Sequence, residues 1–386
     1  MRVSDALESL RSRPLPLLAA LAGGLALGFL LALASGGGAS SDPHAVATLV
    51  PPPTAVRPVA APAAGAGAPE SESAGAPAVA GAGQVAPAVA SGSGDRGRAA
   101  VERALARGVQ AAQRVAGPAE AAVWLDRWST PVLAGDTTRS MRMWSMSKAV
   151  TAVAVLQRQP VPPPDLEQAL VGALTRSENC AQRRVVMGLQ QLAGGAEGAR
   201  GAFLDVLARA GAHAEVSPPI APPEASCRDY LQQHAGALGA NALDPAYQYG
   251  TAMWTVGDAI DFAHALGGGA YSDAGARALD YLALPKAPSR EPGAQLSTDP
   301  AWGVGRTFPT WEVAYKAGWG GSGTGSFLVG QIAVVRRGAR WAAIAAMVHP
   351  TQQPSADDPG LAHAADGLEA LLREIAAQLD RTVGAG

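Results

Sequence analysis

Ser145 and Lys148 have the residue types and the spacing of a nucleophile and its base. They lie in the stretch MRMWSMSKAV, residues 141–150. Residues three apart on a helix share one face, so the hydroxyl and the amine can touch. Serine is a weak nucleophile until a base removes its proton. Lysine can be that base, because a desolvated ammonium gives up its proton and a guanidinium does not. The pair could therefore supply a nucleophilic hydroxyl and the base that activates it.

The scarcity of lysine makes this pair more informative than a short motif usually is. The chain of 386 residues contains three lysines, Lys148, Lys286 and Lys316, and every other basic side chain apart from histidine is arginine. A Ser-x-x-Lys match alone is weak evidence, because so short a pattern also arises by chance. Its weight depends on what else the chain contains.

Two further stretches follow it in order. Ser177-Glu178-Asn179 lies in ALTRSENCAQRRVV, and Lys316-Ala317-Gly318 lies in VAYKAGWGG. The order S-x-x-K, S-D-N, K-T-G is the signature of class A β-lactamases and penicillin-binding proteins. Over roughly residues 100–380 the chain resembles this serine superfamily, and class A most closely. Two of the three lysines occupy the two lysine positions of the signature.

The resemblance implies a role for each matched residue. Ser145 would be the acylated nucleophile and Lys148 its base, while Ser177 would relay a proton to the leaving group. Asn179 would hydrogen-bond the substrate amide and Lys148. Without the resemblance, Ser177 and Asn179 have a simpler interpretation, because both residue types favour the N-cap of a helix.

The remaining roles concern substrate binding. The resemblance implies that Lys316, with Ala317 and Gly318, binds the substrate and supplies positive potential for a carboxylate. It also implies an oxyanion hole formed by the backbone N–H groups of Ser145 and Trp319. This chemistry requires no cofactor, and the sequence has no Cys/His spacing typical of a metal site.

The chain departs from the class A pattern in three ways. The interval from Ser145 to Ser177 is short, which predicts an open wall on one side of the cleft. Ala317 lacks the hydroxyl that the middle residue of K-T-G provides. There is no glutamate between Cys227 and Arg290, and neither Glu215 nor Glu224 lies in the E-x-x-L-N pattern of the deacylating residue. We expect both glutamates to be surface residues and β-lactam turnover to be poor.

These features leave three functional hypotheses. The first is an exported serine acyl hydrolase that acts on a peptide-like, ester or β-lactam substrate at the cell envelope, including substrates related to peptidoglycan. The second is an envelope binding module that has the fold without the turnover. The third is a true β-lactamase. A net charge of −2 and an isoelectric point near 6.3 give no reason to expect nucleic-acid binding.

The first 96 residues predict export. Residues 14–34 carry no charge over 21 positions, which is about the length of a membrane-spanning helix, and Arg2, Arg11 and Arg13 precede them. This charge bias places residues 1–13 in the cytoplasm and the rest outside. We expect a single-pass anchor in the cell membrane, or a secreted protein if a signal peptide is cleaved after Ala34. Residues 35–96, rich in Ala, Pro and Gly, predict a disordered linker.

The folded domain is expected over residues 97–386. Periodicity predicts a helix at 98–115, strands at 121–126 and 131–135, a helix from 144 to about 157 and a mostly helical stretch from 166 to about 285. Strands at 311–317, 326–336 and 340–348 and a helix at 358–382 follow. This order predicts an α/β fold, an α+β sandwich with an antiparallel sheet flanked by the first and last helices, plus a helical subdomain.

Two cysteines are expected in the exported part of the chain. Cys180 and Cys227 are the only cysteines in the sequence. Disulfides persist outside the cytoplasm, so the two thiols are candidates for one disulfide. The alternative is a pair of free, buried thiols.

Overall fold

The architecture is known from a computed structural model that describes residues 92–216, 250–288, 302–321, 327–351 and 360–384. In chain order the helices and strands are α1 (Gly92–Val115), β1 (Ala119–Leu125), β2 (Val132–Ala134), β3 (Met141–Arg142), a 3₁₀ turn (Trp144–Met146), α2 (Ser147–Arg158), α3 (Pro164–Thr175), α4 (Asn179–Ala193), α5 (Ala196–Ala210), β4 (Met253–Trp254), α6 (Val256–Gly267), α7 (Ser272–Ala283), α8 (Val304–Thr307), β5 (Glu312–Gly321), β6 (Phe327–Arg337), β7 (Arg340–Val348) and α9 (Gly360–Gly384).

One antiparallel sheet joins the two ends of the domain. Its strand order is β2-β1-β7-β6-β5, so the first strand of the domain pairs with the last. The register places Gly318 opposite Gly330, Gly330 opposite Met347, and Met347 opposite Glu120. Because side chains alternate across a strand, this row of residues lies on one face of the sheet. That face carries the helix that follows Ser145.

The first and last helices cover the opposite face. α1 and α9 pack closely together, and a β-carbon added at Gly108 would lie 2.8 Å from a Leu371 side-chain carbon. The apolar sides of α1 and α9 pack against the residues of β1, β6 and β7 on this face of the sheet and form one buried cluster with them. This arrangement confirms the predicted α+β sandwich with flanking terminal helices.

The other face of the sheet supports α2 and the helical subdomain. From Ser147 to Leu156 every residue of α2 is buried, because α3, α4, α5 and α7 pack around the helix and it shares one apolar cluster with the sheet. Leu156, Phe203 and Phe262 are fully buried in this cluster. α2 is therefore the central helix of the domain, and a polar residue on it can be present only if it has partners.

The element boundaries confirm most of the pattern-based predictions. The main correction is at the start of the domain, because residues 92–96, predicted as the end of the linker, already form the first turns of α1. Asp95 lies in the first turn of the helix, where a carboxylate interacts favourably with the helix dipole. The short β3–β4 pair and the single turn α8 were not predicted, because two- to four-residue elements have no detectable period.

The predicted anchor at 14–34 and the linker at 35–91 lie outside the described residues. Within the described ranges, no helix has the length and apolarity needed to span a membrane. Cys180 is disulfide-bonded. Cys227, the other cysteine of the chain, lies outside the described residues, as the predicted anchor and linker do. No group of metal-ligating side chains is found within the described part of the chain.

Candidate active site

Ser145 lies in a tight 3₁₀ turn that leads directly into α2. Trp144, the residue before it, has φ of 46°, a left-handed conformation that is strained for a bulky residue. The turn is anchored by Ser147 Oγ, which donates to Trp144 O at 2.7 Å, and by Trp144 N, which donates to Gly250 O at 2.7 Å. Met143 N donates to Ala252 O at 2.8 Å beside the β3–β4 pair. Backbone strain held in place by its surroundings is typical of functional sites.

Lys148 lies one turn further along α2 and is 1 % exposed. Its Nζ donates to Ser177 O at 2.6 Å and to Asn179 Oδ1 at 2.8 Å, and Ser177 Oγ lies 3.4 Å away. The carbonyl oxygen of Glu178 lies at the same distance of 3.4 Å. Lys148 is therefore surrounded by oxygen atoms of residues 177–179, where the loop leads into α4.

Ser177 lies in a strained loop between α3 and α4. Its φ is 56°, so this is a second non-glycine residue in the left-handed region at the site. The loop is held by Glu178 N, which donates to Gly172 O at 3.2 Å, and by a paired contact of Arg176 with Glu178. Arg176 Nε donates to Glu178 Oε1 at 2.7 Å and its Nη2 to Oε2 at 3.1 Å. The pKa of Arg176 is raised, chiefly by its hydrogen bond to Glu178.

The N-cap interpretation of Ser177 and Asn179 does not hold. Glu178 is the N-cap residue of α4, and it makes no side-chain capping bond. Asn179 is the first helical residue, is 3 % exposed and directs its Oδ1 to Lys148. The side chains of Ser177 and Asn179 therefore contact the lysines, and neither of them is the N-cap of α4.

Lys316 reaches the same hydroxyl from strand β5. Its Nζ donates to Ser177 Oγ at 2.8 Å and to its neighbour Ala317 O at 3.0 Å, and the side chain is 3 % exposed. Ser177 Oγ thus lies between two amines that come from different elements of the domain. The structure brings the three predicted motifs together at this hydroxyl.

Two glycines let β5 approach the turn that carries Ser145. A β-carbon added at Gly318 would lie 2.9 Å from Met143 O and 3.1 Å from Met146 N. At Gly320, which has φ of 156°, it would lie 2.4 Å from the Trp144 ring. Such distances are too short for any side chain. Glycine at both positions is therefore required for the strand to pack against the Ser145 turn.

The residues between these glycines lie on the other face of β5. Ala317 and Trp319 are partly buried against the α1/α9 side of the sheet, and Trp319 packs beside Phe327 with ring centroids 6.0 Å apart. The Trp319 backbone lies between Gly318 and Gly320, next to the Ser145 turn. Its N–H as one half of an oxyanion hole, with that of Ser145, remains a prediction, as does a substrate contact of Ala317.

The electrostatics of the site favour a lysine that can lose its proton. Burial holds the pKa of Lys316 well below its usual range, and the neighbouring charges of Lys148 and Lys286 lower it further. Two ammonium groups close to one hydroxyl repel each other, so one proton is easily lost. The arrangement can therefore accept a proton from a hydroxyl and return it through Ser177 Oγ.

Sequence reasoning did not assign Lys286 to the site. This lysine follows α7, and its charge acts on Lys316. Lys286 lies in none of the three motifs, so no pattern pointed to it. The small number of lysines in the chain was the one signal that could have done so. All three lysines of the chain therefore contribute to one region.

Of the two glutamates that most closely precede Cys227, only Glu215 lies within the described residues. Glu215 is exposed, and its backbone pairs with Met253 through Glu215 N to Met253 O at 2.9 Å. This agrees with the predicted surface position. Glu224 lies outside the described residues.

Comparison with known proteins gives matches to solved structures alone. No family model matches the chain, and no curated protein matches it. A β-lactamase from Desulfarculus baarsii aligns with a TM-score of 0.48 and 15 % identity over 72 % of this chain and 98 % of that one. A β-lactamase from Sphaerobacter thermophilus aligns with a TM-score of 0.47 and 14 % identity over 74 % and 98 %.

A transpeptidase domain of a D,D-transpeptidase from Legionella pneumophila aligns with a TM-score of 0.46 and 12 % identity over 72 % of this chain and 96 % of that one. These values describe a likeness of fold and do not decide the chemistry.

Proposed function

We propose that this protein is a serine acyl hydrolase of the β-lactamase and penicillin-binding type, which forms an acyl-enzyme on Ser145. The observation that supports this most directly is the convergence of Lys148 and Lys316 on Ser177 Oγ, at 3.4 and 2.8 Å. Burying two amines beside one hydroxyl lowers the free energy of unfolding, so such an arrangement is more typical of a functional site than of a structural one. Their position beside a strained serine turn supports acyl transfer as that function.

The proposed reaction begins at Ser145. Its Oγ attacks the carbonyl carbon of the substrate and forms a C–O bond, while its proton passes to neutral Lys148. The negative charge goes to the carbonyl oxygen, where the backbone N–H groups of Ser145 and Trp319 would receive it. The scissile bond then breaks, and the leaving group takes a proton from Ser177 Oγ, which is replenished from the lysines. The product is an ester on Ser145.

Water must attack this ester to complete the turnover. The sequence has no glutamate in the family's deacylation pattern, so we propose slow release for β-lactams and a different acyl donor as the natural substrate. A peptide-like or ester substrate at the cell envelope fits the predicted export. Lys316 would supply the positive potential for a carboxylate on that substrate.

The experiment is intact-mass spectrometry of the full chain after incubation with a penicillin and, separately, with a fluorophosphonate. We expect a stoichiometric adduct with at least one reagent, and no adduct with Ser145→Ala. Ser129→Ala is the control, because Ser129 is an exposed serine in the turn between β1 and β2, away from the site. It should still be labelled. An adduct that survives Ser145→Ala would overturn the assignment of the nucleophile.

A second candidate is a binding module at the envelope without turnover. Ala317 favours this candidate, because the residue has no hydroxyl to offer to a substrate carboxylate. Its side chain also lies on the face of β5 that packs against α1 and α9. This candidate predicts reversible binding of a penicillin or a peptidoglycan fragment by calorimetry, with unchanged intact mass. Labelling at Ser145 would exclude it. Measurable hydrolysis of a chromogenic cephalosporin would instead favour a true β-lactamase.

A further inference from the structure

Lys286 is held by the ends of two helices at the edge of the site. Its Nζ donates to Leu282 O at 2.7 Å, which is in the last turn of α7, and lies 3.5 Å from Leu174 O in the last turn of α3. The final carbonyls of a helix have no partner within the helix and carry partial negative charge. One ammonium therefore satisfies carbonyls at two helix ends. This is a specific position for a side chain that follows a helix.

The same side chain contacts the strand that carries Lys316. The Lys286 ammonium lies 4.7 Å from the centre of the Tyr315 ring, and Tyr315 is the residue before Lys316. Next to it, Ala287 N donates to Thr175 O at 3.3 Å. α7 also packs on both β5 and α3. Lys286 thus connects the strand of Lys316 to the helix that leads into Ser177.

Among the residues that the structure describes, no carboxylate forms an ion pair with Lys286. Lys316 on β5 and Lys148 on α2 are amines, so neither can offset a positive charge on Lys286. The carboxylates on α3 and on its following loop, Glu167 and Glu178, are each engaged with an arginine, at 3.9 Å from Arg277 and 2.7 Å from Arg176. Burial lowers the pKa of Lys286 to about 7. A change in the charge of Lys286 near neutral pH should therefore change the pKa of Lys316.

We propose that Lys286 is a positioning residue of the active site, which holds the end of α3 behind Ser177 and tunes the charge of Lys316 by electrostatic repulsion. This inference builds on the proposed function, since it assigns a role to the third lysine of the same site. It also explains why a chain that otherwise uses arginine has lysine here. An arginine would keep its charge at all pH values, so it would repel Lys316 permanently.

The low lysine count makes a direct test practical. Labelling of the full chain with lysine carrying ¹³C at Cε gives three side-chain NMR signals, one for each lysine. Each signal is assigned by the loss it suffers in a single Lys→Arg variant. Titration from about pH 4 to about pH 11 then gives the protonation midpoint of each lysine, with no need for activity.

The two variants of Lys286 have opposite expected effects. Lys286→Met removes the charge, so the midpoint of Lys316 should rise by about half to one pH unit. Lys286→Arg makes the charge permanent, so that midpoint should stay or fall. A midpoint of Lys316 that is unchanged in Lys286→Met would overturn the proposal. So would a rise of the same size in both variants, because that would indicate a change of packing.

A second readout separates this proposal from the proposed function. The rate of Ser145 adduct formation should follow the shifted midpoint in Lys286→Met, with the pH profile displaced to higher pH. If no adduct forms in the wild type, the acyl-hydrolase proposal fails while the NMR titration still tests Lys286. If adducts form and the profile does not move in Lys286→Met, the role of Lys286 fails while the function stands.

Discussion

Lys316 Nζ lies 2.8 Å from Ser177 Oγ, although 139 positions separate the two residues in the chain. The same hydroxyl lies 3.4 Å from Lys148 Nζ. This places one small polar side chain between two buried amines, each from a different element. A substitution that moves or permanently charges either amine should therefore change the acylation of Ser145 without unfolding the domain.

Lys148→Arg should slow acylation of Ser145 by about 10²- to 10⁴-fold, the usual contribution of a general base. Arginine stays protonated and cannot accept the serine proton. The rate of adduct formation by mass spectrometry measures the effect, with thermal unfolding to confirm that the domain is intact. Arg158→Lys, the reverse exchange in the last turn of the same helix, should leave the rate unchanged. A Lys148→Arg protein that reacts at the wild-type rate would contradict the base role.

Gly318→Ala should reduce the acylation rate by about 10- to 100-fold, because the methyl group pushes β5 away from the Ser145 turn. The overpacking should also lower the free energy of unfolding by about 1–3 kcal/mol. Gly201→Ala is the control, since an added β-carbon there meets no atom within 4 Å. That variant should be at least as stable as the wild type and fully reactive. Equal behaviour of the two variants would show that close approach at Gly318 is unimportant.

Glu178→Gln should loosen the Ser177 loop and reduce acylation by about 10-fold, while lowering the free energy of unfolding by about 1–2 kcal/mol. The pair of Arg176 and Glu178 is mostly buried, with side chains 21 % and 14 % exposed. Glu374→Gln removes an exposed partner of Arg107 at a similar distance of 2.9 Å. Its effect on stability should stay below about 1 kcal/mol. Denaturant unfolding and adduct rates distinguish the two, and an equally small effect at both pairs would argue against a clamp at Ser177.

The stability of the domain should increase from about pH 7 to about pH 9.5. Lys286 and Lys316 have pKa values lowered by burial, to about 7 for Lys286. In this range the unfolded chain binds more protons than the folded chain, so raising the pH favours folding. Melting temperatures across the range measure the trend. Lys286→Met should flatten it, because the variant loses one of the groups that cause it.

A melting temperature that falls steadily over this range would contradict the lowered pKa values. Other groups act outside this pH range, and Asp261 and Tyr281 are examples. Burial raises the pKa of Asp261 to about 6, which affects stability below pH 7. Burial also raises the pKa of Tyr281 above its usual value near 10, which affects stability only at the alkaline end.

The order and type of the elements were predictable from the sequence, for a physical reason that applies to each. The strands around Val123, Val334 and Ile344 are buried, and their apolar runs are bounded by turn residues. α6 has a visible start, because Thr255 and Asp258 form a capping box at its N-terminus. Such signals are local, so a window of ten residues contains them. The limits of α1 were missed by a few residues because helix ends depend on weak local preferences.

The candidate site was predictable only as three separate motifs. The spacing of Ser145 and Lys148 on one helical turn follows from the sequence, as does the unusual use of lysine. The meeting of Lys148, Ser177 and Lys316 at one hydroxyl depends on how α2, α4 and β5 pack, and no local pattern encodes this. The position of Lys286 beside the site depends on the packing of α7 against α3 and β5, and no sequence motif indicates that position.

The sequence by itself determined the residue types, the helical spacing of Ser145 and Lys148, and the fold class, because these depend on neighbours along the chain. Only the tertiary structure decided that Gly318 and Gly320 admit the strand to the Ser145 turn, and that Ser177 is held in a left-handed conformation. Only it showed that Lys148 and Lys286 both act on the buried Lys316. Proximity and desolvation arise from contacts between distant segments, and they determine which of these lysines can lose a proton.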